Sequence, residues 1–255
     1  DVERSRGLGD VYKRQSLPKN VNREPSSAIP SVNPSTGPSG FHPLSSGDDA
    51  FTARIAAARA AKTSLDLQYY IWNNDLTGKL LMGEILAAAD RGVRVRLLLD
   101  DLNEGQYERM LRILDVHPNI EVRMANPFVN RTFRIFELFR LSEIDRRMHN
   151  KLFISDNHVA IVGGRNIGDE YFWASNVVNF GDLDLWTVGP VVQELSEEFD
   201  VYWNSEISYP IASLLPHFEP DSSTLKEFRM GIDKATQEAA NTPYAKALNL
   251  SLIHI

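Results

Sequence analysis

The sequence predicts an α/β domain in which helices flank both faces of a mixed, largely parallel sheet. One observation is the alternation of short apolar runs with helical segments between residues 49 and 124, which is typical of strands joined by crossover helices. Another is a pair of apolar runs at 152–154 and 159–162 around a turn, which predicts a hairpin that joins the sheet. A third is the fraction of hydrophobic residues, 43%, which is enough to form a hydrophobic core in a chain of 255 residues.

The predicted elements follow one another in chain order. The first is a helix from 49 to 62, in which Phe51 and Ile55 stand at helical spacing and Asp48 is a fair N-cap. Before the hairpin there follow a strand at 64–72, a helix at 77–91 ended by Gly92, a strand at 93–99, a short helix at 106–114 and a strand at 120–124. After the hairpin come a strand at 183–188 and a closing helix at 191–203 with one apolar stripe.

The predicted elements divide the chain into three segments: an N-terminal arm, a domain and a C-terminal linker. Residues 1–47 are rich in Pro, Ser, Asn and Gly without apolar periodicity, which predicts a disordered or loosely docked N-terminal arm. Residues 48–208 form the predicted α/β domain, and residues 209–255, with a polar helical part from Thr224 to Leu248, are expected to be a linker. Since the chain begins at Asp1 rather than Met, we expect both ends to be arbitrary cuts.

Composition narrows the possible functions. The formal net charge of -7 argues against a broad nucleic-acid interface, which requires a basic surface. The chain has no Cys, which excludes disulfides, thiolate catalysis and Cys-based zinc sites. No apolar run is long enough to span a bilayer.

The candidate chemical groups concentrate in the predicted hairpin and the residues that follow it. They are His149, Lys151, Asp156, Gly163, Gly164 and Asn166. Because side chains alternate along a strand, His149 and Lys151 leave the backbone on the same face. If the hairpin closes at 155–158, Asn166 returns toward the level of His149. Asp156 stands at the turn, where it is better placed to brace the hairpin than to touch a substrate.

These groups suit phosphoryl chemistry. A neutral His149 can attack phosphorus and form a covalent intermediate. The Lys151 ammonium and the Asn166 amide can hold the phosphate oxygens and the charge that grows in the transition state. Gly163 and Gly164 carry no Cβ, so a bulky anion can approach the backbone there. Because protein groups supply the charge, we predict no metal and no cofactor.

The segment HNKLFISD followed by GGRN resembles the HKD motif of the phospholipase D superfamily, with Gly164 where many members have Ser. The segments at 65–75, 92–101 and 181–192 resemble the cardiolipin synthase branch of that superfamily. The resemblance implies a phospholipase D-type lobe in which His149 is the nucleophile. It further implies that Lys151 and Asn166 bind the phosphate.

The family also places an acidic residue on a later strand, where it holds the far nitrogen of the nucleophilic His. The matching residue is Asp182, and Asp184 stays open as the alternative because a small shift of register would exchange them. A second feature is the Phe- and Arg-rich stretch 126–141. It suits either a membrane interface or a helix that packs its Phe face onto the sheet.

Catalytic members of the family have two HKD motifs, whereas this sequence has one. We therefore expect either the N-terminal part of a longer enzyme, whose second lobe acts in cis, or a homodimer, and the branch resemblance favours the fragment. The resemblance implies a phosphatidyltransferase that forms cardiolipin through a phosphatidyl-His149 intermediate, peripheral to a membrane, in particular a bacterial inner membrane. Its partner would be the phospholipid surface and not nucleic acid.

Three alternatives stay open at this stage. With water as acceptor, the same chemistry gives a phospholipase D hydrolase. A single-motif phosphodiesterase or nuclease would act as a homodimer on DNA or RNA. The isolated chain could also be an inactive fragment that only folds or associates.

Overall fold

A computed structural model describes residues 37–101, 105–127, 147–240, 242, 244–245 and 248. The described strands are β1 (Gly40–Leu44), β2 (Ser64–Tyr69), β3 (Arg94–Asp100), β4 (Ile120–Ala125), β5 (Leu152–Ser155), β6 (Val159–Gly163), β7 (Asp184–Val188) and β8 (Ser208–Pro210). The described helices are α1 (Gly47–Ala60), α2 (Leu76–Asp90), α3 (Gly105–Leu114), α4 (Pro190–Trp203), α5 (Ile211–Leu214) and α6 (Ser222–Ala239). The strands form one eight-stranded sheet in the order β1-β7-β6-β5-β2-β3-β4-β8.

The sheet is mixed, as predicted, but the prediction that it is largely parallel is wrong. The crossover helices α2 and α3 join β2 to β3 and β3 to β4, and these two pairings are parallel. The β5–β6 hairpin lies antiparallel against β2, and β7, β1 and β8 continue the sheet in antiparallel pairings. The sequence pattern revealed the crossover helices but not the direction in which the later strands return.

Helices cover both faces of the sheet, which confirms that part of the prediction. The larger core lies between the sheet and α1, α2, α3 and α6, and the smaller core lies under α4. In β3, Leu97 and Leu99 belong to the larger core and Leu98 belongs to the smaller one. Burial on both faces explains why three successive residues of this strand are Leu. No helix of the described ranges is long and apolar enough to cross a membrane.

Both ends of the predicted domain require correction. Strand β1 lies within the segment assigned to the N-terminal arm, yet it pairs with β7 at the edge of the sheet. The helix that follows is capped by the Ser46 side chain and not by Asp48. At the other end, the boundary placed at residue 208 cuts β8, which pairs with β4. Helix α6, assigned to the linker, buries Leu225 and Ile232 against the larger core.

A charged network supports the sheet from inside the fold. The Arg96 guanidinium donates to both carboxylate oxygens of Asp66, at 2.6 and 2.8 Å, and to the Asp200 carboxylate on α4 at 2.7 Å. Arg96 and Asp66 are fully buried. The Arg96 guanidinium also lies over the rings of Phe199 and Trp203. This network fixes α4 on β2 and β3.

We predict that Asp66→Ala lowers the free energy of unfolding by about 3–5 kcal/mol, because it removes a buried partner of the Arg96 cation. Urea denaturation monitored by circular dichroism measures the effect. Asp233 is exposed on α6, so Asp233→Ala is the matched control and should change stability by no more than about 0.5 kcal/mol. A loss for Asp66→Ala as small as that of the control would contradict the prediction.

Candidate active site

The β5–β6 hairpin is fixed at its turn by Asp156. Its carboxylate accepts hydrogen bonds from the backbone N–H groups of Lys62, Thr63 and Ser64 and from the Thr63 hydroxyl. Burial acts to raise the pKa of Asp156, but the backbone hydrogen bonds outweigh it and the pKa is lowered. Asp156 therefore ties the turn to the start of β2, at the opposite end of the hairpin from His149.

His149 stands on the extended segment that leads into β5, and its side chain is exposed. Its ring lies against the ring of Tyr70, with centroids 4.7 Å apart. The Lys151 ammonium lies 5.1 Å from the centroid of the same ring and donates to the His149 carbonyl at 2.7 Å. The imidazole and the ammonium are thus gathered around one aromatic side chain just beyond the end of β2.

Lys151 is buried, and this changes its acid–base chemistry. Burial lowers its pKa to about 8, and the nearby Asp182 carboxylate opposes that change. A bound anion would favour the protonated form, because it replaces part of the solvation that the ammonium has lost. The charge of Lys151 therefore depends on pH and on whether an anion is bound beside it.

The residues before His149 are anchored by Asp100 at the end of β3. The Asp100 carboxylate accepts from the Arg147 guanidinium at 2.7 Å and from the backbone N–H of Met148 at 3.1 Å. Burial raises the pKa of Asp100, and the contacts to Arg147 and Met148 counteract that rise. This role of Asp100 was not predicted from the sequence. The available signal was a carboxylate at the end of a buried strand, and its partner lies 47 residues away.

Asn166 follows β6 and contacts the backbone just beyond Tyr70. Its side-chain oxygen accepts from the backbone N–H of Ile71 at 3.0 Å, and its amide nitrogen donates to the Tyr171 hydroxyl at 2.9 Å. The residue is buried, and both contacts fix the plane of its amide. Because the amide nitrogen has two hydrogens, a second N–H can meet an incoming anion. Tyr171 is a further residue that sequence reasoning missed.

The two glycines make room for two carboxylates. A Cβ atom on Gly163 would collide with Asp184, and one on Gly164 would collide with the Asp182 carboxylate. The space that a Ser side chain would need at position 164 is therefore occupied by Asp182. This is a local reason for the glycine at that position.

Asp184, the alternative to Asp182, takes part in a buried ion-pair cluster. Its carboxylate pairs with Arg54 at 2.9 Å and with Arg165 at 3.7 Å, and all three side chains are buried. Asp182 instead is half-buried, contacts the Leu183 N–H and lies close enough to influence Lys151. The two acidic residues thus lie in different environments, since Asp184 is buried beside two arginines whereas Asp182 lies near Lys151.

Two further sequence features were considered for the site, the stretch 126–141 and a metal ion. Of the stretch 126–141, residues 128–141 lie outside the described residues. Within the described ranges, no three carboxylate or imidazole side chains are grouped so as to hold a metal ion. The described site consists of an exposed imidazole, a buried cation, an oriented amide and a carboxylate. Such a set can bind an anionic group and attack it.

Comparisons with known proteins identify the family to which this sequence is similar. Residues 54–203 match the family described as cardiolipin synthase, PLD-like domain. Cardiolipin synthase C of Escherichia coli is 47% identical over 191 residues, which cover 74% of this chain and 40% of that protein. A cardiolipin synthase of Staphylococcus aureus is 31% identical over 183 residues, covering 69% of this chain and 34% of that protein. The chain therefore spans less than half the length of these relatives.

Solved structures with low sequence identity share the fold. The phosphatidylserine synthase of Haemophilus influenzae aligns with a TM-score of 0.53 at 16% identity, covering 79% of this chain and 44% of that chain. NucT from Helicobacter pylori aligns with a TM-score of 0.51 at 16% identity, covering 68% of this chain and 98% of that chain. These similarities support the phospholipase D-type fold that the sequence predicted.

The lowered pKa of Lys151 predicts a pH-dependent affinity for anions. Sulfate is a suitable test anion because its charge does not change between about pH 7 and about pH 9.5, so any change in affinity over that range comes from the protein. Between about pH 7 and about pH 9.5 the free ammonium loses its proton, and sulfate affinity should fall by about tenfold or more. Isothermal titration calorimetry measures the affinity. Lys151→Arg keeps its charge across this range and should show little change; an equally flat profile for the unmodified chain would contradict the prediction.

Proposed function

This chain belongs to the cardiolipin synthase, PLD-like domain family, and from that membership we propose that it carries the nucleophile-bearing half of a phosphatidyltransferase active site. One observation carries the proposal. The exposed His149 imidazole and the buried Lys151 ammonium share the Tyr70 ring, so a nucleophile stands beside a cation that needs an anionic partner. A phosphodiester supplies both the electrophilic phosphorus and that negative charge.

In the proposed first step, a neutral nitrogen of His149 attacks the phosphorus of a phospholipid. The bond from phosphorus to the leaving alcohol breaks, and the alkoxide takes up a proton from a general acid. The Lys151 ammonium and the free N–H of Asn166 hold the non-bridging oxygens as negative charge grows on them. The product of this step is a phosphatidyl-histidine, and the Asp182 carboxylate orients the ring through its other nitrogen.

In the second step an acceptor alcohol gives its proton to the group that acted as the acid and attacks the same phosphorus. The bond from phosphorus to His149 breaks, and the imidazole is regenerated. With the hydroxyl of a second phospholipid as acceptor, the product is a cardiolipin. With water as acceptor, the product is phosphatidic acid, which is the hydrolase alternative.

A second imidazole or an equivalent acid completes this scheme. One imidazole cannot both hold the phosphorus and protonate the leaving group beside it. We propose that the second group comes from a further lobe of a longer protein or from another copy of this chain. The relatives, which are more than twice as long as their matched part, favour the lobe.

The place of action follows from the substrate. Phospholipids with long acyl chains reside in bilayers, so a phosphatidyltransferase must work at a membrane surface. We propose peripheral attachment to a bacterial membrane, as the bacterial relatives suggest. The net charge of -7 disfavours nucleic acid as the substrate.

The nucleophile can be tested with a phosphatidyl ester of p-nitrophenol. Because p-nitrophenolate leaves without a proton, the chain should release about one equivalent of it even without the second lobe. Mass spectrometry at neutral pH should then find the phosphatidyl group on His149, and His149→Ala should abolish both signals. His158 lies at the turn of the same hairpin, so His158→Ala is the matched control.

The same leaving group distinguishes the substrate classes. A nucleotide ester of p-nitrophenol should label the chain far more slowly than the phosphatidyl ester. Faster labelling by the nucleotide ester would favour the nuclease alternative. Label on a residue other than His149 would contradict the assignment of the nucleophile.

A second prediction concerns the contact between Gly164 and Asp182. Gly164→Ala places a methyl group in the space of the Asp182 carboxylate and should slow labelling of His149 by about tenfold. In an Asp182→Ala background, Gly164→Ala should not slow the labelling of His149 any further, because the carboxylate that the methyl group would displace is absent. Gly181→Ala, whose methyl group would meet no atom within 4 Å, is the control. Additive losses in the double variant would show that Gly164 does not act through Asp182.

A further inference from the structure

Residues 173–183 form a loop beside the site that presents several large apolar side chains to solvent. The exposed fractions are 95% for Val177, 50% for Val178, 45% for Trp173, 42% for Phe180 and 49% for Leu183. From 171 to 181 the sequence contains no charged residue, although charged residues make up 24% of the chain. Exposed apolar residues are normal when scattered, but a contiguous uncharged group of them marks an interaction surface.

The loop is held in shape by its own hydrogen bonds. The Ser175 hydroxyl accepts from the backbone N–H groups of Val177 and Val178, at 3.2 and 3.4 Å. The Asn179 side chain bonds both the N–H and the carbonyl of Ser175. At the base, the Trp173 indole donates to the Phe180 carbonyl at 3.3 Å. Polar backbone groups near the tip thus find partners inside the loop.

The base of the loop connects directly to the site. The Phe180 ring packs against Tyr171 with centroids 5.2 Å apart, and the Tyr171 hydroxyl bonds Asn166. Asp182 stands near the end of the loop and lies against Gly164. A surface that holds the loop would therefore lie next to the proposed phosphate-binding groups.

We propose that the 173–183 loop inserts into the interfacial layer of a phospholipid bilayer and places the site at the membrane surface. Valine side chains at the tip suit the acyl region, whereas Trp and Phe at the base suit the headgroup level. Hydrogen bonds within the loop lower the cost of bringing its backbone into the interfacial layer, because the paired groups keep their partners there. The inference rests on the proposed function for its choice of a bilayer, since the lipid substrate must pass from that bilayer to His149.

The test compares two exposed valines on different surfaces. Val177 is at the tip of the loop, and Val201 is 64% exposed on α4. Binding of the 255-residue chain is measured by flotation with vesicles of phosphatidylethanolamine and phosphatidylglycerol. Val177→Asp should weaken binding by about tenfold or more, since moving one Val side chain out of water is worth about that factor. Val201→Asp should bind within about twofold of the unmodified chain.

Tryptophan fluorescence gives a second readout of insertion. Vesicles that carry brominated acyl chains should quench Trp173, and Trp173→Phe should remove the quenching. Trp72 and Trp203 are buried, and Trp186 in β7 is partly buried against the larger core, so these three should contribute little. Circular dichroism confirms that each variant is folded. Quenching that persists in Trp173→Phe would overturn the inference.

The remaining outcomes distinguish a failure of the loop proposal from a failure of the proposed function. Labelling of His149 by a short-chain, water-soluble phosphatidyl ester should be unchanged in Val177→Asp, because that substrate needs no membrane. If no variant is labelled but the vesicle difference remains, the proposed function fails and the loop inference stands. If Val177→Asp binds vesicles as tightly as the unmodified chain, the inference is overturned. Dissociation of a dimer by Val177→Asp with unchanged vesicle binding would likewise overturn it and would assign the loop to a second copy.

Discussion

The architecture of the site depends on the buried contact between Asp184 and two arginines. Asp184 begins β7, Arg54 lies on α1, and Arg165 directly precedes Asn166 in the chain. Arg165 also donates to the carbonyls of Leu44 and Asp182, so the same cation joins β1 to the strand entry of β7. Removing a partner from a buried ion pair leaves an uncompensated charge, which is more costly than the pair is stabilising. The cluster therefore holds Asn166 and Asp182 in place without touching the proposed substrate.

Much of the fold could be predicted because the elements have strong local patterns. The run that became β3 has three successive Leu residues because both of its faces are buried, although the strand also contains Arg94 and Arg96. The predicted helical segments place their apolar residues at helical spacing. Strand β1 was missed because its sequence GFHPL contains a proline and has little alternation, and β8 was missed because it has three residues. The direction of the pairings could not be read from the sequence, since it depends on how the chain returns after β4.

The residues of the candidate site likewise fall into those that local sequence patterns predict and those that they do not. His149, Lys151, Gly163, Gly164 and Asn166 lie within one local segment, so strand periodicity and turn position predict that they gather. Their supporting residues are far away in sequence and meet them only through the order of strands. Antiparallel pairing of β2 with β5 brings Tyr70 beside the motif, and β3 brings Asp100 to the residues before it. No local pattern could have indicated either contact.

Charge and hydrophobicity impose opposite demands on a protein that works at a lipid surface. An anionic bilayer repels a chain of net charge -7, so long-range electrostatics cannot supply the attachment. The membrane attachment that we propose relies instead on burial of apolar side chains, which is independent of the sign of the surface charge. The 173–183 loop, in which Asp182 near the end is the one charged residue, is suited to that task, and the buried ammonium of the site, Lys151, can be kept for the phosphate. A basic surface would bind the membrane more broadly but would compete with Lys151 for the same headgroups. Separating attachment from phosphate binding thus lets the site select its substrate by geometry.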